Sequence, residues 1–183
     1  MTIVWRLRSN VTDFNYLAPR PASIGTVPRR DGTSLIATWE PKEVWYHPLD
    51  FKKNKGIANF PMWSSVIVCD AAAKDIIYEL TKDCVEFLPL SSPTIPETEY
   101  FALNCVKVLD CLDMERSEFT RFEKTGGIRS IRRYEFKANC IDGIPVFKLP
   151  ILNSARTFVT NEFKQLVEDN NLTGLEFQKV WEG

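Results

Sequence analysis

The chain has 183 residues, 44% hydrophobic and 26% charged, with a net charge of −1. That is the length of one domain, and such a chain buries roughly 70% of its unfolded surface, so its core needs no disulfide or metal staple. The near-zero net charge argues against general nucleic-acid binding, and no apolar run approaches the roughly 20 residues that span a bilayer. Charge is spread unevenly. Residues 1–60 hold nine Lys/Arg and five Asp/Glu, residues 61–120 four and eleven, and residues 121–183 ten and eight. The middle third can therefore carry an acidic face for a basic partner, or simply a solvated acidic surface. Met1–Arg8 lacks the basic start and apolar run of a signal peptide. The five cysteines are odd in number and irregularly spaced, the pattern of reduced thiols. Together these predict a cytoplasmic protein.

In chain order, Thr2–Arg8 alternates: Ile3, Trp5 and Leu7 against Val4, Arg6 and Arg8, which predicts a strand. Residues 9–34 contain Pro19, Pro21, Pro28, Gly25 and Gly32 and predict loop. Leu35–Trp39 predicts a short strand. Glu40–Trp63 is irregular and aromatic-rich, broken by Pro41, Pro48 and Pro61, so residues 1–65 as a whole form an irregular N-terminal part.

Val66–Cys69 is a short apolar run, and Asp70 after it is a good N-cap for a helix over Ala71–Thr81. Ala73, Ile76, Ile77 and Leu80 then share one stripe, with Lys74, Asp75 and Glu79 towards water. Val85–Leu88 predicts a strand stopped by Pro89. Tyr100–Leu109, almost free of breakers, predicts a long one. Asp110–Asp113 turns the chain, and Gly126-Gly127 marks a hairpin followed by a strand over Ile128–Lys137. Asp142-Gly143 is a further turn before a strand over Pro145–Leu149. Thr160 predicts the cap of a helix over Asn161–Asp169 with Phe163, Leu166 and Val167 inward. Asn170-Asn171 supplies a left-handed stop and Leu172 folds back on it. Leu175–Trp181 predicts a last strand, with Leu175, Phe177 and Lys179 opposite Glu176, Gln178 and Val180. The sum is an α+β fold, with a largely antiparallel sheet and two main helices (71–81 and 161–169) in a single domain spanning 1–183.

Catalytic constellations are scarce. His47 is the one histidine, so any triad or Cys–His pair must use it. Successive cysteines, Cys69, Cys84, Cys105, Cys111 and Cys140, lie 15, 21, 6 and 29 positions apart, without the close pairs of a structural zinc site. Gly126-Gly127 has neither the third glycine nor the Lys-Ser/Thr of a phosphate loop. Asp110, Asp113, Glu115 and Glu118 could supply the paired carboxylates of a small hydrolase, but such residues after a strand ordinarily serve turn amides and water. Lys52, Lys53 and Lys55 with Phe51 and Phe60 make a small basic–aromatic patch better explained as a solvated loop. No cofactor and no metal is implied.

Four stretches carry a resemblance. They are Val66–Leu80 with Val85–Leu90; Tyr100–Asn104 running to Leu109–Asp113 and Ser117; Gly143–Leu149; and Phe158–Lys164 through Leu172–Phe177. In order and spacing they resemble a bacterial immunity-protein family of polymorphic-toxin systems, over about Val66 to Trp181. Lys148 stands where that pattern often has Arg. The resemblance implies a protein without catalytic residues that binds and neutralises a cognate toxin. The expected location adds that the toxin acts in the cytoplasm, and charge that it is a nuclease, whose basic cleft would meet Glu97, Glu99, Asp110, Asp113, Glu115 and Glu118 on loops bordering the long strand. Neither direct nucleic-acid binding nor a membrane is expected. A carboxylate-pair hydrolase and an adaptor without a toxin partner are the alternatives.

Overall fold

A computed structural model describes residues 1–19, 31–47, 55–64, 66–152 and 156–183. Pro21, Gly25, Pro28, Pro48, Phe51, Lys52 and Lys53, and the His47 side chain, lie outside the described residues. The strands are β1 (Ile3–Ser9), β2 (Tyr16–Pro19), β3 (Lys42–His47), β4 (Met62–Trp63), β5 (Val66–Asp70), β6 (Val85–Ser91), β7 (Tyr100–Cys105), β8 (Glu118–Arg121), β9 (Ile128–Arg133), β10 (Val146–Lys148), β11 (Thr157–Thr160) and β12 (Leu175–Glu182). The helices are α1 (Ala71–Thr81) and α2 (Asn161–Asp169). The fold is α+β and mostly sheet, as the sequence pattern predicts.

Six strands close a small barrel in the order β2-β3-β6-β7-β5-β4, and four form a separate sheet in the order β10-β11-β1-β12. Most pairings are antiparallel, but β2 with β4 and β3 with β6 are parallel. The barrel encloses Leu17, Val44, Trp63, Val68, Leu88 and Ala102. Its outer wall, both helices and one face of the four-stranded sheet share a second core around Leu7, Ile77, Val159 and Phe163. The other face of that sheet carries a third core of Val4, Phe147 and Phe158 against Phe136, Ile131 and Ile141. Here Phe136 meets Phe147, Phe158 and Trp181 edge-on at 5.6–6.0 Å. Each such pair adds about 0.5–1.5 kcal/mol beyond burial.

Both helices form where their stripes predict. Asp70 accepts the Ala73 amide at 2.7 Å, and Ala73 and Ile77 are buried with Ile76 and Leu80 packed beside them. Thr81 is also buried, because its hydroxyl donates to the Ile77 carbonyl. Asn171 takes the left-handed conformation at φ 53°, and Leu172 returns its amide to Val167. Gly174 then lies so close to residues 58–60 that a Cβ would sit 2.5 Å from Ala58 Cβ, tying the chain's end to its N-terminal part.

Several expectations are corrected. Residues 1–65 are not irregular throughout: they supply β1 to β4, because β1 is an inner strand of one sheet and β2 to β4 complete the barrel. Leu35–Trp39 is a turn, not a strand, its Leu35 amide held by the Glu86 carboxylate at 2.8 Å. Pro89 does not stop β6. Pairing with β3 begins only at Leu90, so no neighbour needs a Pro89 N–H. The strand at Tyr100 ends at Cys105. The Val106 amide turns to the Cys84 carbonyl and Val108 bridges Lys148, carrying the chain from the barrel to the other sheet. β9 ends at Arg133, and Phe136 instead bridges Leu112. Thr157–Thr160 is a strand that the sequence pattern does not announce. Thr160 occupies the N-cap of α2, yet its buried hydroxyl makes no capping bond. A register shift opposite Val4/Trp5 breaks the alternation of β12, so Phe177 packs on one core and Val180 with Trp181 on another.

Candidate partner-binding surface

The acidic segment after β7 is a fixed structure. The Leu109 amide donates to the Lys148 carbonyl, and Cys111 and Leu112 are buried in the third core. The Asp113 amide donates to the Glu135 carbonyl at 2.8 Å, and Lys137 returns its amide to Cys111. The segment is thus laid against residues 134–137. One carboxylate oxygen of Asp113 accepts the amides of Glu115 (3.0 Å) and Arg116 (3.1 Å), closing a turn of the kind Asp favours. Ser117 ends the turn: its hydroxyl accepts the Glu135 amide and contacts the Glu135 carbonyl. Asp110, Met114, Glu115, Arg116 and Glu118 are left exposed. Glu118 reaches Arg133 at 2.9 Å, with both side chains well exposed.

Glu97 and Glu99 are exposed on the loop before β7, where the Glu99 carbonyl accepts the Ala71 amide at the start of α1. The two groups of carboxylates flank opposite ends of a six-residue strand, about 17 Å long at ~3.4 Å per residue. Asp110, Asp113, Glu115 and Glu118 come together; Glu97 and Glu99 do not join them.

Not every acidic residue of the middle third is available to a partner. Glu86 on β6 takes the Leu35 amide, the Ser34 hydroxyl and the Asn104 side-chain amide. Burial alone would raise its pKa. Hydrogen bonds from Leu35, Ser34, Asn104 and Ile36 outweigh that and hold the carboxyl below its ordinary value. Asp70 is likewise spent, on Ala73 and on the Asn59 amide at 2.9 Å.

Nucleophile chemistry finds little support. All five cysteines are free thiols, and only Cys140 is exposed. Burial pushes the Cys105 thiol up to about 11 and Cys111 up to about 12, and it raises Cys69 and Cys84 as well. A thiol nucleophile needs the opposite shift. Among the described residues no His, Cys, Asp and Glu cluster could hold a metal ion. Of the basic–aromatic patch, Phe60 is buried in the core and Lys55 pairs with Asp13 at 3.0 Å. A cavity of about 360 Å³ lies between the four-stranded sheet and the barrel, walled by Leu7, Ile77, Val85, Cys105, Lys148 and Phe163.

The sequence pattern also overlooks a basic group. Arg6 and Arg8 on β1 lie near Arg156, whose guanidinium donates to the Tyr134 hydroxyl at 2.7 Å. The alternation of β1 signals the first two. Nothing local signals Arg156, which lies 150 positions away.

A pinned, charged surface on a mixed α+β scaffold suits a binding protein, and comparison with known families agrees. The model of the Immunity protein family (Imm11) matches residues 11–182. The chain belongs to the Imm11 immunity protein family. The match begins 55 residues before Val66, where the resemblance in the sequence begins, so β2, β3 and β4 lie within the Imm11 match. An immunity protein has a cognate toxin as its partner. No curated protein matches the chain.

Proposed function

We propose that this Imm11 protein is a non-enzymatic inhibitor that acts in the cytoplasm and covers the substrate cleft of a nuclease toxin from a polymorphic-toxin system. The observation that carries the proposal is the pinned acidic turn. Asp113 and Ser117 spend their polar groups on backbone, and so hold Asp110, Glu115 and Glu118 outward in one arrangement. A partner then meets carboxylates already in place, and little ordering entropy is lost on binding. A nuclease cleft lined with Lys, Arg or metal is the natural complement of such a surface. Glu97 and Glu99 extend the acidic contact at the far end of β7, where a partner of ordinary interface size, roughly 800 Å² per side, can reach both.

The test is co-expression with the toxin encoded beside this gene. Growth should be restored, the two proteins should co-purify, and nuclease activity in the purified mixture should fall in proportion to complex formed. Rescue without a stable complex, or with chemically altered toxin, would instead favour an enzyme.

A further inference from the structure

Arg6 opposes Phe158 across the β1–β11 pair. Arg156 lies two residues before Phe158, and its guanidinium bonds the Tyr134 hydroxyl, whose ring packs on Phe158, so that it lies near Arg6. Neighbouring like charges are unfavourable, yet three guanidiniums gather here. Arg6 and Arg156 are half-buried and Arg8 is exposed. Among the described residues no carboxylate comes within 4.0 Å of any of the three. Glu176 opposes Arg8 on β12, but its exposed side chain makes no ion pair with it. Burial lowers the pKa of Arg6, and the nearby Arg156 and Arg8 lower it further. Among the described residues the cluster gathers three guanidiniums on the sheet with no ion-pair partner.

We propose that Arg6, Arg8 and Arg156, with the Tyr134 hydroxyl, form an oxyanion site that takes an acidic side chain of the toxin. Guanidinium forks bind paired oxygens through two parallel N–H donors, and partial burial strengthens each bond. The identity of the occupant rests on the inhibitor role above; the oxyanion chemistry does not. Placement favours a protein carboxylate. Glu135 pins the acidic turn through Ser117, and Tyr134, the residue before it, carries Arg156. The acidic turn and the arginine cluster therefore flank one dipeptide. A partner surface lying across both must offer positive charge to one and negative charge to the other, which fixes its orientation and rejects wrong partners. A nucleic acid fits poorly, because its repeating phosphates extend beyond three guanidiniums towards the acidic turn, whereas a single carboxylate needs only the cluster itself.

The isolated protein suffices for the test. Arginine Nε–Hε resonances are followed by NMR during titration with inorganic phosphate, a hexaglutamate peptide and a 12-nucleotide single strand. Phosphate and hexaglutamate should shift Arg6 and Arg156 saturably and leave Arg129, on the β8–β9 hairpin, unmoved. Arg156→Gln should weaken both at least fivefold. Arg8→Gln, at the most exposed of the three, should do the same in smaller measure and covers the case in which Arg156→Gln fails to fold. Absence of a saturable shift, or shifts indifferent to both substitutions, overturns the site. Tighter binding of the oligonucleotide than of hexaglutamate overturns the choice of occupant. Failed toxin rescue with intact hexaglutamate binding would count against the inhibitor role and not against the site.

Discussion

Among the carboxylates of the middle third are two sets that composition cannot separate. In one, Asp70, Glu86 and Asp113 point into the fold and accept N–H groups that would otherwise be orphaned. In the other, Glu97, Glu99, Asp110, Glu115 and Glu118 face water and serve no backbone amide among the described residues. A segmental charge count adds the two together. The second set, like the exposed Asp75, Glu79 and Asp83, can be presented to a partner, whereas the first holds local structure in place. The difference can be broken at either end: substituting the first set should cost stability, and substituting the second should cost association.

The largest loss should follow Asp70→Ala. It removes the α1 cap and strands the Asn59 amide, which bonds the same carboxylate. A cap is worth about 0.5–2 kcal/mol and an orphaned part-buried donor about 1 kcal/mol more. Urea unfolding should show a loss of about 2 kcal/mol. A loss under about 0.5 kcal/mol would place Asp70 with the surface set.

Next comes Glu86→Gln, expected to cost about 1 kcal/mol because water reaches the site and replaces part of what is lost. Its pH signature is more specific. The folded pKa is depressed, so the carboxyl stabilises the protein above its unfolded value of about 4.3, and that contribution disappears as pH falls through the folded value. The stability difference between wild type and variant should be constant from pH 7 to about 5 and close below about 4. A difference that stays constant down to pH 3 would mean that the charge of Glu86 contributes nothing.

A smaller effect, of opposite sign, separates the two helix starts. Asp70 and Thr160 follow a strand in the same way and both stand at an N-cap, but only Asp70 bonds the first turn. The Thr160 hydroxyl is buried without a partner, so Thr160→Val should leave stability unchanged or raise it by up to about 1 kcal/mol. A drop of that size in thermal or urea unfolding would show that the hydroxyl caps after all.

These contrasts also mark how far the sequence reaches. Helix α1 is legible to the residue, because stripe, cap and length are all local. The barrel is not. Its closure depends on β3 meeting β6 in parallel over Lys42–Leu90 and Glu43–Ser91, contacts nearly fifty residues apart with no local signal. Proline 89 misleads for the same reason, since its tolerance depends on what lies beside it. At the candidate surface the residue types are legible and their duties are not. Asp113 and Glu115 differ by two positions, and only the fold shows that one builds the turn the other rides on. The arginine cluster lies deeper still, because only the pairing of β1 with the distant β11 brings Arg156 near Arg6.

The smallest effect on stability, and the one that reaches function, belongs to Glu115→Lys with Glu118→Lys. Glu115 makes no side-chain bond among the described residues. Glu118 offers only an exposed pair with Arg133, the class worth about 0–1 kcal/mol. Unfolding should therefore move by no more than about 0.5 kcal/mol. Association with the toxin should slow instead, because rim charges act mainly through encounter. Salt provides the control. Steering by opposite charge is screened beyond about 8–10 Å at physiological ionic strength, and the screening length shrinks about threefold between ~50 and ~500 mM. The wild-type association rate should fall steeply over that range, and the double variant, slower at low salt, should fall less, so that the two converge at the high end. A flat salt response in the wild type together with an unslowed variant would remove the acidic turn from the interface. The weight of recognition would then pass to the arginine cluster, where Arg156→Gln should leave the association rate nearly unchanged and weaken the complex mainly by speeding its release.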